Sequence, residues 1–138
     1  MGKTRKVPYS FDLLTKPKEC EDVLIKLSKK YRLGIVTSRI SDSVYESPLL
    51  EKLKVFFEVV VSFEDTDNHK PHPDPLLRAA EKLGLKPEEC VYIGDMASDI
   101  KAANAAKMKV ILYSKDIIEG ANAKTNKFSD LPELVEKL

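Results

Sequence analysis

Tryptophan is absent from this 138-residue chain, and cysteine is scarce. The two cysteines, Cys20 and Cys90, form neither a CxxC pair nor a zinc-ligand spacing. Each lies in an apolar context, so buried free thiols are expected rather than a disulfide-stapled secreted scaffold. No run approaches the roughly 20 apolar residues of a membrane span, and residues 1–10 lack the apolar stretch of a signal peptide. Neither G-x-x-x-x-G-K-[ST] nor G-x-G-x-x-G occurs, which counts against the common nucleotide-binding loops. An excess of one charge is also missing: 23 Lys plus Arg face 22 Asp plus Glu, for a net charge of +1. That balance argues against nucleic-acid binding through net charge. The expectation is a cytoplasmic protein with no nucleic-acid partner and no membrane partner.

What is present reads as one globular domain over residues 1–138, with residues 1–16 irregular; hydrophobic residues make up 43% and charged residues 33%. Short apolar, β-branched runs at Leu33–Ser38, Val59–Phe63, Val91–Asp95 and Lys109–Tyr113 predict strands covered on both faces. Between them lie helical patterns. Lys18–Tyr31 places Cys20, Val23, Leu24, Leu27 and Tyr31 along one face, with Thr15 as an N-cap and Pro17 in the first turn. Further helices are predicted over Pro75–Leu83, ended by Gly84, over Ser98–Lys107, and over Leu131–Leu138, capped by Ser129 or Asp130. A shorter one is read over Pro48–Leu53. Alternating helices and strands with short connections predict an α/β fold with a mostly parallel sheet. In such sheets the ligand sits at the carboxyl ends of the strands.

Three of those ends are informative. The first carries Thr37-Ser38-Arg39, where a hydroxyl and turn N–H groups can cradle a phosphate oxygen; the plain alternative is a capping turn. The loop Glu64–Pro75 holds Lys70 among Pro71, Pro73 and Pro75, which stiffen the backbone so that the ammonium is held against an anion. The alternative is an ordinary surface lysine. Asp65, Asp67, His69, His72 and Asp74 share this loop, and solvated or capping side chains are the plainer reading of them than a metal cluster. The third end reads Gly94-Asp95-Met96-Ala97-Ser98-Asp99. Glycine permits a sharp turn off the strand, and Asp95 and Asp99 suit a hard cation such as Mg²⁺; alternatively, they serve a turn and a helix start.

Strand–Thr, then Lys-Pro-x-Pro before a helix, then strand–Gly-Asp-x-x-x-Asp resembles the haloacid dehalogenase-like superfamily, closest to its phosphoglycolate phosphatase-like branch. The resemblance spans roughly Pro8 to Leu138. It implies a three-layer, Rossmann-like α/β core, here without a cap domain, and Mg²⁺-dependent hydrolysis of small phosphorylated molecules. It also implies roles: Thr37 and the backbone N–H of Ser38 bind the phosphoryl group, Lys70 neutralises its charge, Asp95 binds Mg²⁺ and Asp99 supports the metal directly or through water. Metal plus lysine is the charge clamp that phosphoryl transfer needs.

The chain departs from the family's first motif, Asp-x-Asp-x-Thr, whose first aspartate is the nucleophile; no such string occurs. Ser10–Thr15 (SFDLLT) echoes it faintly, making Asp12 a candidate nucleophile, with Leu14 where the acid/base aspartate belongs. That motif ends a central strand, and Pro8 opposes placing one here because it lacks an N–H. Arg5–Phe11 or a strand from a second copy, giving a homodimer, would fill the gap. A non-catalytic phosphate- and Mg²⁺-binding module of the same fold stands beside the phosphatase reading. A receiver-like domain is disfavoured, because no acidic pair follows an early strand.

Overall fold

A computed structural model of the chain describes residues 5–10, 17–37, 51 and 53–138. Its strands are β1 (Arg5–Ser10), β2 (Tyr31–Val36), β3 (Phe57–Val61), β4 (Val91–Gly94), β5 (Lys109–Tyr113) and β6 (Ala123–Thr125). They form one sheet in the order β3-β2-β1-β4-β5-β6, every pairing parallel. Between them run helices α1 (Pro17–Lys30), α2 (Asp74–Leu83), α3 (Ala97–Ala106) and α4 (Leu131–Lys137).

Alternation along the buried strands builds two cores. On one face Leu33, Ile35, Val91, Ile93 and Ile111 pack with Val23, Leu24 and Leu27 of α1 and with Leu131 and Val135 of α4. On the other, Val36, Val61, Tyr92, Val110 and Leu112 pack with Leu76, Ala79 and Ala80 of α2 and Ile100 and Ala103 of α3. This is the three-layer α/β architecture expected, and among the described residues no element stands apart as a cap. Nor, among them, is any helix long and apolar enough to cross a membrane.

Of the two fillers expected for the central position, the chain's own N-terminal segment takes it. Residues 1–16 read as irregular, yet Arg5–Ser10 form β1 at the centre of the sheet. Pro8 removes only one ladder donor. The register with β2 runs unbroken from Arg5↔Tyr31 to Ser10↔Val36, including Pro8↔Gly34, while the ladder with β4 is confined to Tyr9↔Ile93. The central position is therefore filled from within the chain.

Smaller differences have local causes. β2 ends at Val36, two residues before the expected end, and the Thr37 N–H still donates to the Val61 carbonyl at 2.9 Å, completing the Val36↔Val61 pair of the parallel ladder. α3 begins at Ala97, one residue early, because the Asp99 carboxylate reaches back to the Met96 N–H. α2 stops at Gly84, whose φ of 71° lets its N–H and that of Leu85 return to the Glu81 and Ala80 carbonyls. Most of the predicted Pro48–Leu53 helix, and Thr15, lie outside the described residues.

Candidate functional site

Among the described residues, all six strands point their carboxyl ends to one edge, so Thr37, the loop after β3 and the turn after β4 share it. Thr37 is buried and follows β2. The loop after β3 begins with a tight turn: Asp65 accepts from the Ser62 N–H at 2.8 Å and from its hydroxyl at 3.1 Å. The Ser62 N–H lowers the Asp65 pKa below its ordinary value against the opposing effect of burial, and the Ser62 hydroxyl and Lys82 lower it further. His69 stacks on Phe63 with ring centroids 4.0 Å apart. Asp74 accepts from Asn68 at 2.9 Å and lies 3.2 Å from His72 Nδ1. These side chains shape the loop, and among the described residues no three His, Cys, Asp or Glu converge as a metal cluster would.

The loop delivers Lys70 to the end of β4. Its ammonium donates to Asp99 Oδ1 at 2.7 Å and to the Tyr92 hydroxyl at 3.3 Å. The pair is sequestered, with side-chain exposures of 13% for Lys70 and 2% for Asp99. The other oxygen of Asp99 accepts from the N–H groups of Asp95 and Met96 at 3.0 and 3.1 Å. One carboxylate thus ties the lysine loop to the turn that carries Asp95. An ion pair this buried stands only when its remaining lone pairs are also met, and here each oxygen has two donors, with the Tyr92 hydroxyl 3.4 Å from Oδ1.

Gly94 is required by this arrangement rather than by a turn. Its φ is not positive, but a Cβ there would lie 2.3 Å from the Asp99 Cβ and 2.6 Å from its carboxyl carbon. Only glycine lets the helix start close on the strand end.

The structure therefore joins Lys70, Asp95 and Asp99 in one unit and sets Thr37 on the same edge, separated from β4 by β1. Asp12 and Ser38 lie outside the described residues. Asp99, which the resemblance makes a metal support, gives both oxygens to Lys70, Tyr92 and two backbone donors. Sequence reasoning missed Tyr92. The available signal was a single hydroxyl inside an apolar strand, where a buried polar group needs a partner. Chemically, a fixed ammonium beside a half-buried carboxylate at a strand end suits an anion neutralised by a cation.

A parallel sheet between two helical layers, with a clasped lysine and a Gly-Asp turn on its carboxyl edge, defines a Rossmann-like three-layer α/β domain. The family model for haloacid dehalogenase-like hydrolases matches residues 5–113, and the chain belongs to that family. It is 43% identical over 89 residues to a phosphoglycolate phosphatase from Nitrosococcus oceani, covering 63% of this chain and 39% of that protein. It is 46% identical over 79 residues to the pyrophosphatase PpaX of Bacillus pumilus, covering 57% of this chain and 37% of that one. The chain thus spans well under half the length of these relatives. Among solved structures, a HAD-superfamily hydrolase from Geobacter sulfurreducens superposes with a TM-score of 0.75 at 28% identity, over 90% of this chain and 63% of the other.

Proposed function

We propose that the chain binds the phosphoryl group of a small phosphorylated molecule at the carboxyl edge and takes part in Mg²⁺-dependent hydrolysis of its ester. The observation that carries this reading is the Lys70–Asp99 clasp, an ammonium held 2.7 Å from a buried carboxylate beside the turn bearing Asp95. Thr37 and the Ser38 N–H are assigned to the phosphoryl oxygens, and Lys70 to their charge. The names of the relatives, phosphoglycolate phosphatase and pyrophosphatase, share cleavage at phosphate and support the same class.

The donor chemistry at the turn fits Mg²⁺, which takes carboxylate oxygens and keeps several waters. Asp95 is the carboxylate assigned to it, and Asp99 supports the ion by holding the Asp95 backbone. When bound, the ion adds positive charge against the phosphoryl oxygens. Asp12 is the candidate nucleophile: its carboxylate oxygen would bond phosphorus as the P–O ester bond breaks, and with Leu14 unable to give a proton the leaving alkoxide would take one from water. Water then releases phosphate. Leu14, where the family's acid/base aspartate belongs, favours the second reading, a phosphate- and Mg²⁺-binding module without turnover.

Hydrolysis of p-nitrophenyl phosphate with and without Mg²⁺ separates the two readings. Turnover lost about 100-fold in both Asp12→Asn and Asp95→Asn supports the nucleophile assignment. Loss in Asp95→Asn alone selects water as the attacking group. Absence of turnover in the unaltered chain, with phosphate still bound, selects the binding module.

A further inference from the structure

We propose that Tyr92 is a positioning residue for Lys70. Its phenol and the Asp99 carboxylate close a hydrogen-bonded triangle that fixes the direction of the ammonium, leaving one N–H for a phosphoryl oxygen. The proposal rests on the reading of Lys70 as a phosphate-binding group.

The argument begins with the strand. Val91 and Ile93 of β4 pack on the face shared with α1 and α4, so Tyr92 packs on the opposite face with α2 and α3. Tyr92 is fully buried, at 0% exposure. A buried hydroxyl needs partners, and the phenol oxygen accepts from Lys70 Nζ at 3.3 Å and donates toward Asp99 Oδ1 at 3.4 Å. The third side of the triangle is the 2.7 Å ion pair. The ammonium also lies 5.8 Å from the Tyr92 ring centroid, within reach of the ring's negative face.

A lysine held by one carboxylate oxygen still swivels about that contact, because its ammonium is a point charge on a flexible stem. A second acceptor removes the swivel. Among the described residues, Nζ has two acceptors for its three protons, Tyr92 and Asp99. The direction of the remaining N–H is set by where those two stand. Phenylalanine at position 92 would keep the ring and its packing while removing this second acceptor. Leucine would lose both.

The test is made on the full 138-residue chain with ¹⁵N-labelled lysine, using Lys70→Arg to assign the Lys70 ammonium resonance and inorganic phosphate as the ligand. In the unaltered chain, Overhauser contacts between the Lys70 ammonium and the Tyr92 ring are expected. In Tyr92→Phe, exchange of the ammonium protons with water should rise about five-fold and phosphate should bind about five-fold more weakly. In a Lys70→Ala background, Tyr92→Phe should change phosphate affinity no further. Missing Overhauser contacts, or exchange as slow in Tyr92→Phe as in the unaltered chain, overturns the proposal. So does a Tyr92→Phe affinity loss that persists undiminished without Lys70. If Lys70→Ala alone leaves phosphate affinity unchanged, the phosphate-site reading falls, and the exchange rates still decide whether Tyr92 positions Lys70.

Discussion

A carboxylate has four lone-pair positions, and Asp99 fills them by meeting Lys70, Tyr92 and two backbone N–H groups. Asp99→Asn removes the charge that Lys70 faces while keeping the side chain's shape. It should lower stability by about 3 kcal/mol, as when one partner of a buried pair is lost, measured as a shift in the urea midpoint at unchanged slope. Gly94→Ala should cost about 2 kcal/mol through overpacking against Asp99 and weaken phosphate binding with it. Cys90 makes a separate prediction. Burial, with the negative charges of Glu89 and Glu88 adding, pushes its thiol up to about 11. The folded chain holds that proton more tightly than the unfolded chain. The resulting stability is full below the unfolded value of about 8.5 and is lost as pH rises through about 11. Thermal midpoints should therefore fall more steeply across that alkaline range in the unaltered chain than in Cys90→Ala. Equal slopes would refute the assignment. Lys70 and Asp95 were legible in the sequence because a lysine among prolines and a Gly-Asp strand end each carry a local signal. Tyr92 was not, because an aromatic inside an apolar strand reads as core until its hydroxyl partners are known.

At the level of elements, legibility followed burial. β2, β4 and β5 are covered on both faces, so their apolar runs stood out in the sequence, within one or two residues of their ends. β6 is three residues long, Ala123–Thr125, and only half-buried or exposed, so it left no apolar run to read. β1 was the instructive case: Arg5–Ser10 carries two basic residues and a proline, which locally argue against a central strand. Its place comes from the register with β2 along six residues, a non-local cause that the segment's own composition does not show. A chain truncated to begin at Phe11 would lose the strand between β2 and β4. It should lose cooperative thermal unfolding, seen by circular dichroism; a sharp transition like that of the full chain would show that β1 is dispensable.

For the whole molecule, an own-chain β1 at the centre leaves no need for a strand from a second copy, so a dimer held by an exchanged central strand is not expected; light scattering at the 15.5 kDa monomer mass would agree. The same topology brings the β3 loop and the β4 turn to one edge, where the Lys70–Asp99 clasp stands and where the proposed phosphate binding is assigned. The most direct test of that account is calorimetric titration of inorganic phosphate into the full chain, with and without Mg²⁺, beside Lys70→Ala and Asp95→Asn. The account predicts that Lys70→Ala weakens binding about ten-fold or more, in line with loss of a charged hydrogen-bond donor. It also predicts that Mg²⁺ tightens binding in the unaltered chain but not in Asp95→Asn. Phosphate affinity equal in Lys70→Ala and the unaltered chain would contradict it.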